Sequence, residues 1–368
     1  MTTSRPRSNP RISKLRRKLK QCGADALLVT NFKNVTYLSG FTGDDSYLLV
    51  TSKEVILFSD PRFSVQIEAE CPDLEMDIRE PGTSILSRVG KAVARTKIGR
   101  LGIESGSMSV QLYQQVRKKL ATMEVKPLDG LVEELREIKD KTEIAQIREA
   151  VSLAEKAFAV IRAALRGDKV EKELEAQLTY EIQRNGGRGT SFPPIVGVGE
   201  RSALPHVAPT MKRIEEGAFV LIDWGADYQM YKSDLTRVLF YGKVPAKMRK
   251  MYEVCLKAQL AAIKAIKPGV AMSAVDHAAR SIIAEAGWGK QFRHGLGHGI
   301  GLDIHEAPRL AGSVDRPLEP GMIVTVEPGI YFPGFGGVRI EDDILVTNDG
   351  HEVLTSVPKS FDEAQVRI

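Results

Sequence analysis

Between about residues 141 and 347 the chain runs twice through the same order of elements, two amphipathic helices and then a β-hairpin. Helical periods at about 141–166 and 170–185 precede a hairpin pattern at 217–241, and periods at 246–266 and 273–286 precede a second at 321–347. One such unit cannot cover its own apolar face. Two stacked units can, which predicts a pseudo-twofold domain with a cleft between its halves. The opening helix carries Ile144, Ile147, Val151, Ala154, Phe158, Ile161 and Leu165 at spacings of three and four, with Asp140 and Glu143 in capping-box positions. Pro268-Gly269 and Gly287 are helix stops for the second pair.

Ahead of this region, short β-rich runs (26–30, 46–51, 55–59 and 98–103) alternate with helical stretches such as 109–121. Alternation of this kind predicts an α/β domain with a mostly buried sheet. At 368 residues, with 43% hydrophobic and 27% charged residues, the chain is long enough for two cores and too apolar for extensive disorder. The expected division is 1–130 and 131–368, an α/β domain followed by an α+β domain.

A net charge of +5 invites a nucleic-acid reading. Its distribution argues against one, because Arg5, Arg7, Arg11, Lys14, Arg16, Arg17, Lys18 and Lys20 crowd the first twenty residues; without those eight the remainder carries −3. Ile12, Leu15 and Leu19 give the same segment an apolar stripe, so the positive residues read as its solvated face. Cys22, Cys71 and Cys255 form neither a disulfide framework nor a thiolate zinc pattern. No apolar run approaches the roughly 18 residues of a membrane span, and a cytoplasmic protein is expected.

The chemistry concentrates in the hairpins. In the first, Asp223 and Asp234 are symmetric about a turn centred between Tyr228 and Gln229, which would set them directly opposite each other. In the second, Glu327 and Glu341 are symmetric about Gly334. Each carboxylate sits among Val, Ile and Leu, and two like charges about 5 Å apart repel by roughly 3 kcal/mol at an effective dielectric near 20. Protonation, an arginine or a lysine could compensate. Four of the six histidines, however, fall in two short segments, 202–206 and the glycine-rich 294–306. Four carboxylates and an imidazole suit two divalent ions sharing bridging ligands. A lone strand aspartate is usually structural, and glycine-rich histidine segments also occur in plain loops; two symmetric acidic pairs with such a loop between them are not ordinary.

At these residues the sequence resembles the pita-bread metallopeptidases, close to the Xaa-Pro aminopeptidases and Xaa-Pro dipeptidases. The matching stretches are 223–237, 294–306, 326–331 and 337–343. Residues 31–43 and 60–62 resemble the creatinase/prolidase-type N-terminal domain of the same group. The resemblance implies metal ligation by Asp223, Asp234, His298, Glu327 and Glu341, with Asp234 and Glu341 bridging. It also implies a metal-bridging water as nucleophile, Glu327 as proton shuttle, substrate or transition-state contacts from His206 and His305, a pocket-lining His294, and support of the metal hairpin by Arg339. The cofactor it implies is a pair of divalent ions, manganese foremost, with cobalt, zinc or iron as alternatives. Short peptides with proline in second position are the implied substrates, a homodimer the implied assembly, and membrane or nucleic acid no partner. Other members act as creatinase-like amidinohydrolases or as non-catalytic binding modules; the latter typically lose ligands. Arg201, Met230 and Phe63 depart from the group, which commonly has asparagine, glycine and tyrosine there.

Overall fold

The long helix Lys141–Ala163 begins where its cap predicts, with Asp140 Oδ1 accepting from the Thr142 and Glu143 amides at 2.9 and 3.0 Å and Glu143 Oε2 accepting from Asp140 N at 3.0 Å. Residues 131–139 are not part of it; they include the separate short helix Glu133–Arg136. The structure is a computed structural model and describes residues 9–96 and 98–368. It divides into two compact units, one ending at Arg136 and one starting at Glu137.

The first unit is an α/β layer built on a six-stranded sheet. Its strand order is Glu75–Ile78, Val55–Ser59, Ser46–Thr51, Ala26–Val29, Arg100–Glu104 and Glu124–Leu128, antiparallel in the middle and parallel at both edges. The central strand Ala26–Val29 is wholly apolar and buried, as expected for a sheet covered on both faces. The helix Pro10–Gln21 buries Ile12, Leu15 and Leu19. Arg11 and Arg16 donate to the Tyr37 and Thr51 carbonyls, and Lys18 pairs with Glu134, so part of the basic segment is committed to the unit's own surface. Arg5 and Arg7 lie outside the described residues.

The second unit carries the repeated order. Helices Lys141–Ala163 and Glu171–Arg184 cover the hairpin strands Phe219–Trp224 and Leu235–Phe240; helices Ala246–Ala265 and Met272–Glu285 cover the second hairpin, Ile323–Phe332 with Gly336–Val346. In the first half, Trp224 stacks on Phe158 at 4.2 Å between ring centroids and donates to Ala154 O. The second half centres on Met248, Tyr252, Val324 and Val338. A bridge between Thr236 and Glu341 joins the two hairpins edge to edge. This is the pseudo-twofold α+β arrangement of the pita-bread fold.

Registers decide what the hairpins present. In the second hairpin Val326 pairs with Asp342 and Gly329 with Arg339, so the ladder is symmetric about Gly334 and sets Glu327 against Glu341, as expected. The first hairpin corrects the expectation: Asp223 pairs with Thr236 and Asp227 with Lys232, so Asp223 and Asp234 are diagonal neighbours and not directly opposed. Its turn is Gln229-Met230, both left-handed (φ 48° and 73°), with Met230 N bonded to Asp227 Oδ1 at 2.9 Å. The pairing shifts by two residues, which preserves the face, so both aspartates still point the same way.

Met230 therefore occupies the left-handed position that glycine commonly fills in the group this chain resembles. A left-handed non-glycine costs about 1–2 kcal/mol, but the Met230 side chain is 5% exposed and burying a methionine contributes about 1.5–3 kcal/mol. Burial wins. Met230→Gly is expected to lower stability by about 1 kcal/mol, a fall in Tm of about 2–4 °C; a rise on thermal melting would show that the strain dominates.

Candidate metal centre

Nine sequence-predicted side chains line one cavity of about 1250 Å³: His206, Asp223, Asp234, His294, His298, His305, Glu327, Arg339 and Glu341. Asp223 is the penultimate residue of one strand of the first hairpin, and Asp234 immediately precedes the other. Glu327 and Glu341 flank the break in the second hairpin, and His298 lies in the short strand Gly297–Gly299 beside it. Ligand atoms of Asp234, His298 and Glu341 fall within 4.8 Å of one another. His298 Nε2 is 3.7 Å from Asp234 Oδ2 and 3.3 Å from Glu327 Oε1. Glycine at 297 is required by close approach, since a Cβ there would overlap the Thr325 backbone.

The protonation state of His298 follows from its other nitrogen. Nδ1 lies 3.1 Å from Gly299 O, so Nδ1 carries the proton and the Nε2 lone pair faces the carboxylates. Burial, then the neighbouring His305, lower its pKa to about 3 and hold it neutral. The carboxyls move the other way. Burial raises Glu327 to about 8, against the opposing pull of Arg339. Asp234 and Glu341 are raised well above the usual range, first by burial and then by each other's neighbourhood of carboxylates, and Asp223 is raised less because Arg339 sits beside it.

Arg339 is the positive charge that protein alone supplies. Its guanidinium, 3% exposed, donates to Thr236 Oγ1 at 3.0 Å, to Tyr331 Oη at 2.7 Å, to Pro205 O at 3.3 Å and to Asp223 Oδ2. One guanidinium does not neutralise four carboxylates. Asp223 Oδ1 and Asp234 Oδ1 are buried with no hydrogen-bond partner, a costly arrangement. Two orphaned carboxylate oxygens in the cavity that His298 also lines fit divalent cations as their missing partners.

Several residues that sequence reasoning passed over complete the site. Thr236 accepts from Arg339 and donates to Glu341 Oε2; Thr325 accepts from His298 N at 3.1 Å and donates to Glu327 Oε1 at 3.3 Å. Each threonine lies two residues from a carboxylate just beyond the end of its strand, and period two puts both on the ligand face. That signal was available. Tyr331 Oη lies 3.2 Å from His294 Nε2, whose Nδ1 lies 2.8 Å from Gly295 O, so the tyrosine donates to a histidine held neutral with its pKa lowered to about 4, chiefly by burial. Buried Asp343 accepts from Asp234 N at 3.0 Å. Thr236→Val is expected to weaken metal binding roughly 10- to 100-fold; affinity unchanged in a metal titration would make the hydroxyl a bystander.

The model of metallopeptidase family M24 matches residues 145–348, and that of the creatinase/prolidase N-terminal domain matches residues 11–138. The chain belongs to metallopeptidase family M24. Among relatives of this M24 metallopeptidase, the Xaa-Pro dipeptidase of Pyrococcus horikoshii is 37% identical over 96% of the chain and 99% of the relative. Of solved structures, the Xaa-Pro dipeptidase from Bacillus anthracis superposes with a TM-score of 0.92 at 39% identity, covering 95% of this chain and 98% of that one. The X-Pro aminopeptidase from Thermotoga maritima gives 0.87 at 35% identity, covering 96% and 100%. Among the described residues, no helix of this metallopeptidase is long and apolar enough to cross a membrane.

Proposed function

We propose that this metallo-exopeptidase releases the first residue of short peptides in which proline stands second, using two divalent cations held by Asp223, Asp234, His298, Glu327 and Glu341. The observation that carries the reading is the convergence of these five groups in one cavity, with two carboxylate oxygens unpartnered. Asp234 and Glu341 would be shared between the two cations, with Asp223 completing one ligand set and His298 with Glu327 the other. Manganese suits the carboxylate-rich shell, with cobalt, zinc or iron as alternatives. When bound, the cations supply Lewis-acid activation of water and of the scissile carbonyl.

The chain's own groups supply the rest. With its own proton displaced on metal uptake, the Glu327 carboxylate would take a proton from the attacking water and return it to the leaving proline nitrogen. His206 and His305 line the same cavity on its exposed side and donate hydrogen bonds where negative charge develops on the carbonyl oxygen. His294, neutral and with both ring nitrogens engaged, serves as pocket wall. Phe192, Pro193, Pro194 and Val207 form an apolar wall suited to a pyrrolidine ring.

The test is hydrolysis of Ala-Pro and Ala-Pro-Ala by protein loaded with manganese or cobalt. Turnover lost on chelation and regained on metal return supports the reading, and the ratio of the two substrates separates dipeptidase from aminopeptidase. No cleavage of either, or cleavage indifferent to chelator, rejects it.

A further inference from the structure

The chain's second unit contains a buried ion pair outside the ligand set, between Lys139 and Glu306. Nζ and Oε1 are 2.7 Å apart, and the side chains are 1% and 7% exposed. Buried pairs add little net stability, since desolvation offsets the attraction. Their geometric effect is a different matter, and here the pair ties together two segments that the chemistry uses.

Lys139 N donates to Gly321 O at 2.9 Å, two residues before the strand Ile323–Val326 that leads into Glu327. Glu306 pairs in antiparallel register with Gly299, next to His298, and directly follows His305. Between Gly299 and Glu306 the chain makes a six-residue loop. It is closed by Gly301 N on Asp303 O at 3.0 Å and by Asp303 N on Glu306 Oε2 at 3.4 Å, and held from outside by Lys232 N on Gly301 O at 2.9 Å. The Glu306 carboxylate lies so close under this loop that a Cβ at Gly301 would overlap it. His305, the last loop residue, is exposed and meets His298 edge to face at 4.3 Å between ring centroids. An exposed imidazole on a loop loses side-chain and backbone freedom only if its base is fixed, and a displacement of about 1 Å at a catalytic group can cost about 100-fold.

We propose that the Lys139–Glu306 ion pair is a positioning device for His305: Glu306 anchors the foot of the 300–305 loop, Lys139 locks Glu306 to the segment leading into Glu327, and neither touches substrate. This rests on the role proposed above for His305.

The manganese-loaded enzyme carrying Glu306→Gln, and the double variant Lys139→Met/Glu306→Gln that leaves no uncompensated buried charge, are compared with wild type on Ala-Pro. Both are expected to lose roughly 10- to 100-fold in kcat, as do residues supporting a site group, with KM and bound metal unchanged; Lys139→Arg retains most of the rate. The same substitutions are then placed in a His305→Ala background. If Glu306 acts through His305, Glu306→Gln has almost no further effect there, because the two losses are not additive. A full additional loss, or an unchanged kcat in folded, metal-loaded Glu306→Gln, overturns the proposal. Histidine ring NMR reads the same variants without turnover: Glu306→Gln is expected to shift the His305 resonances and leave those of His351 in place. If wild type cleaves no Xaa-Pro peptide, or His305→Ala is not slowed, it is the proposed function that fails at His305. The ring spectra then decide separately, and unchanged His305 resonances overturn the positioning role.

Discussion

Asp234→Asn is expected to abolish hydrolysis while leaving the protein folded. The substitution keeps the side-chain shape and the backbone bond from residue 234 to Asp343, but removes a charge from the position where the ligand atoms converge. An amide oxygen is a poor bridging ligand for hard cations. Loss of a supporting group costs about 10- to 100-fold and of one transition-state hydrogen-bond donor about 10²- to 10³-fold, so removal of a bridging ligand should cost at least about 10³-fold. Metal bound per chain should fall with the rate. The folding test matters, because Asp234 is 4% exposed and its carboxyl is pushed by burial and by the carboxyls around it toward its neutral form; a neutral amide suits the same place, so the metal-free variant should melt no lower than metal-free wild type. An Asn variant with two metals and more than a tenth of the activity would exclude Asp234 as a bridging ligand.

That the four carboxylates would meet in one cavity was legible in the sequence as a matter of symmetry. A hairpin symmetric about Gly334 leaves no freedom in which residues face each other, and Glu327 and Glu341 follow. The first hairpin was harder, because its turn is set by an Asp227 side-chain bond to Met230 N and by two left-handed residues with no glycine to mark them. The error of two residues was harmless to the site, since period two returns the same face; an error of one would have turned Asp234 away.

Other parts left no local trace. The edge strands Glu75–Ile78 and Glu124–Leu128 carry Glu, Asp and Lys at exposed or half-exposed positions and show none of the apolar pattern of the central strand Ala26–Val29. Glu104 is buried because it accepts from Thr30 N, Asn31 N and Asn34 Nδ2, partners about seventy residues away. The repeated order of helices and hairpins, by contrast, announces itself because the hairpin of each half packs against the helices that precede it, Trp224 on Phe158 in one and Val324 and Val338 with Met248 and Tyr252 in the other.

Metal loading is expected to raise the melting temperature more at pH 8 than at pH 5, with protons released on uptake. In the metal-free protein the folded-state pKa of Glu327 is about 8, and those of Asp223, Asp234 and Glu341 are also raised. A carboxyl whose folded pKa lies above its unfolded value stabilises the fold below the unfolded value, near 4, and loses that contribution as pH rises through the folded value. Metal-free protein should therefore weaken from about pH 5 to pH 8 as these groups are forced to ionise beside one another. Divalent cations replace the protons, so binding tightens over the same interval. At a hundredfold excess over Kd each site contributes about 2.7 kcal/mol, and two sites about 5 kcal/mol, which is a large share of a domain's stability of about 5–15 kcal/mol. For a unit of this size that corresponds to a rise in Tm of about 10–20 °C near pH 8, shrinking toward pH 5. Scanning calorimetry with and without manganese measures the first effect, and titration in two buffers of different ionisation enthalpy the second. A rise independent of pH, with no proton release, would mean that the carboxyls already carry their full charge without metal, and that Arg339 alone is enough to hold them.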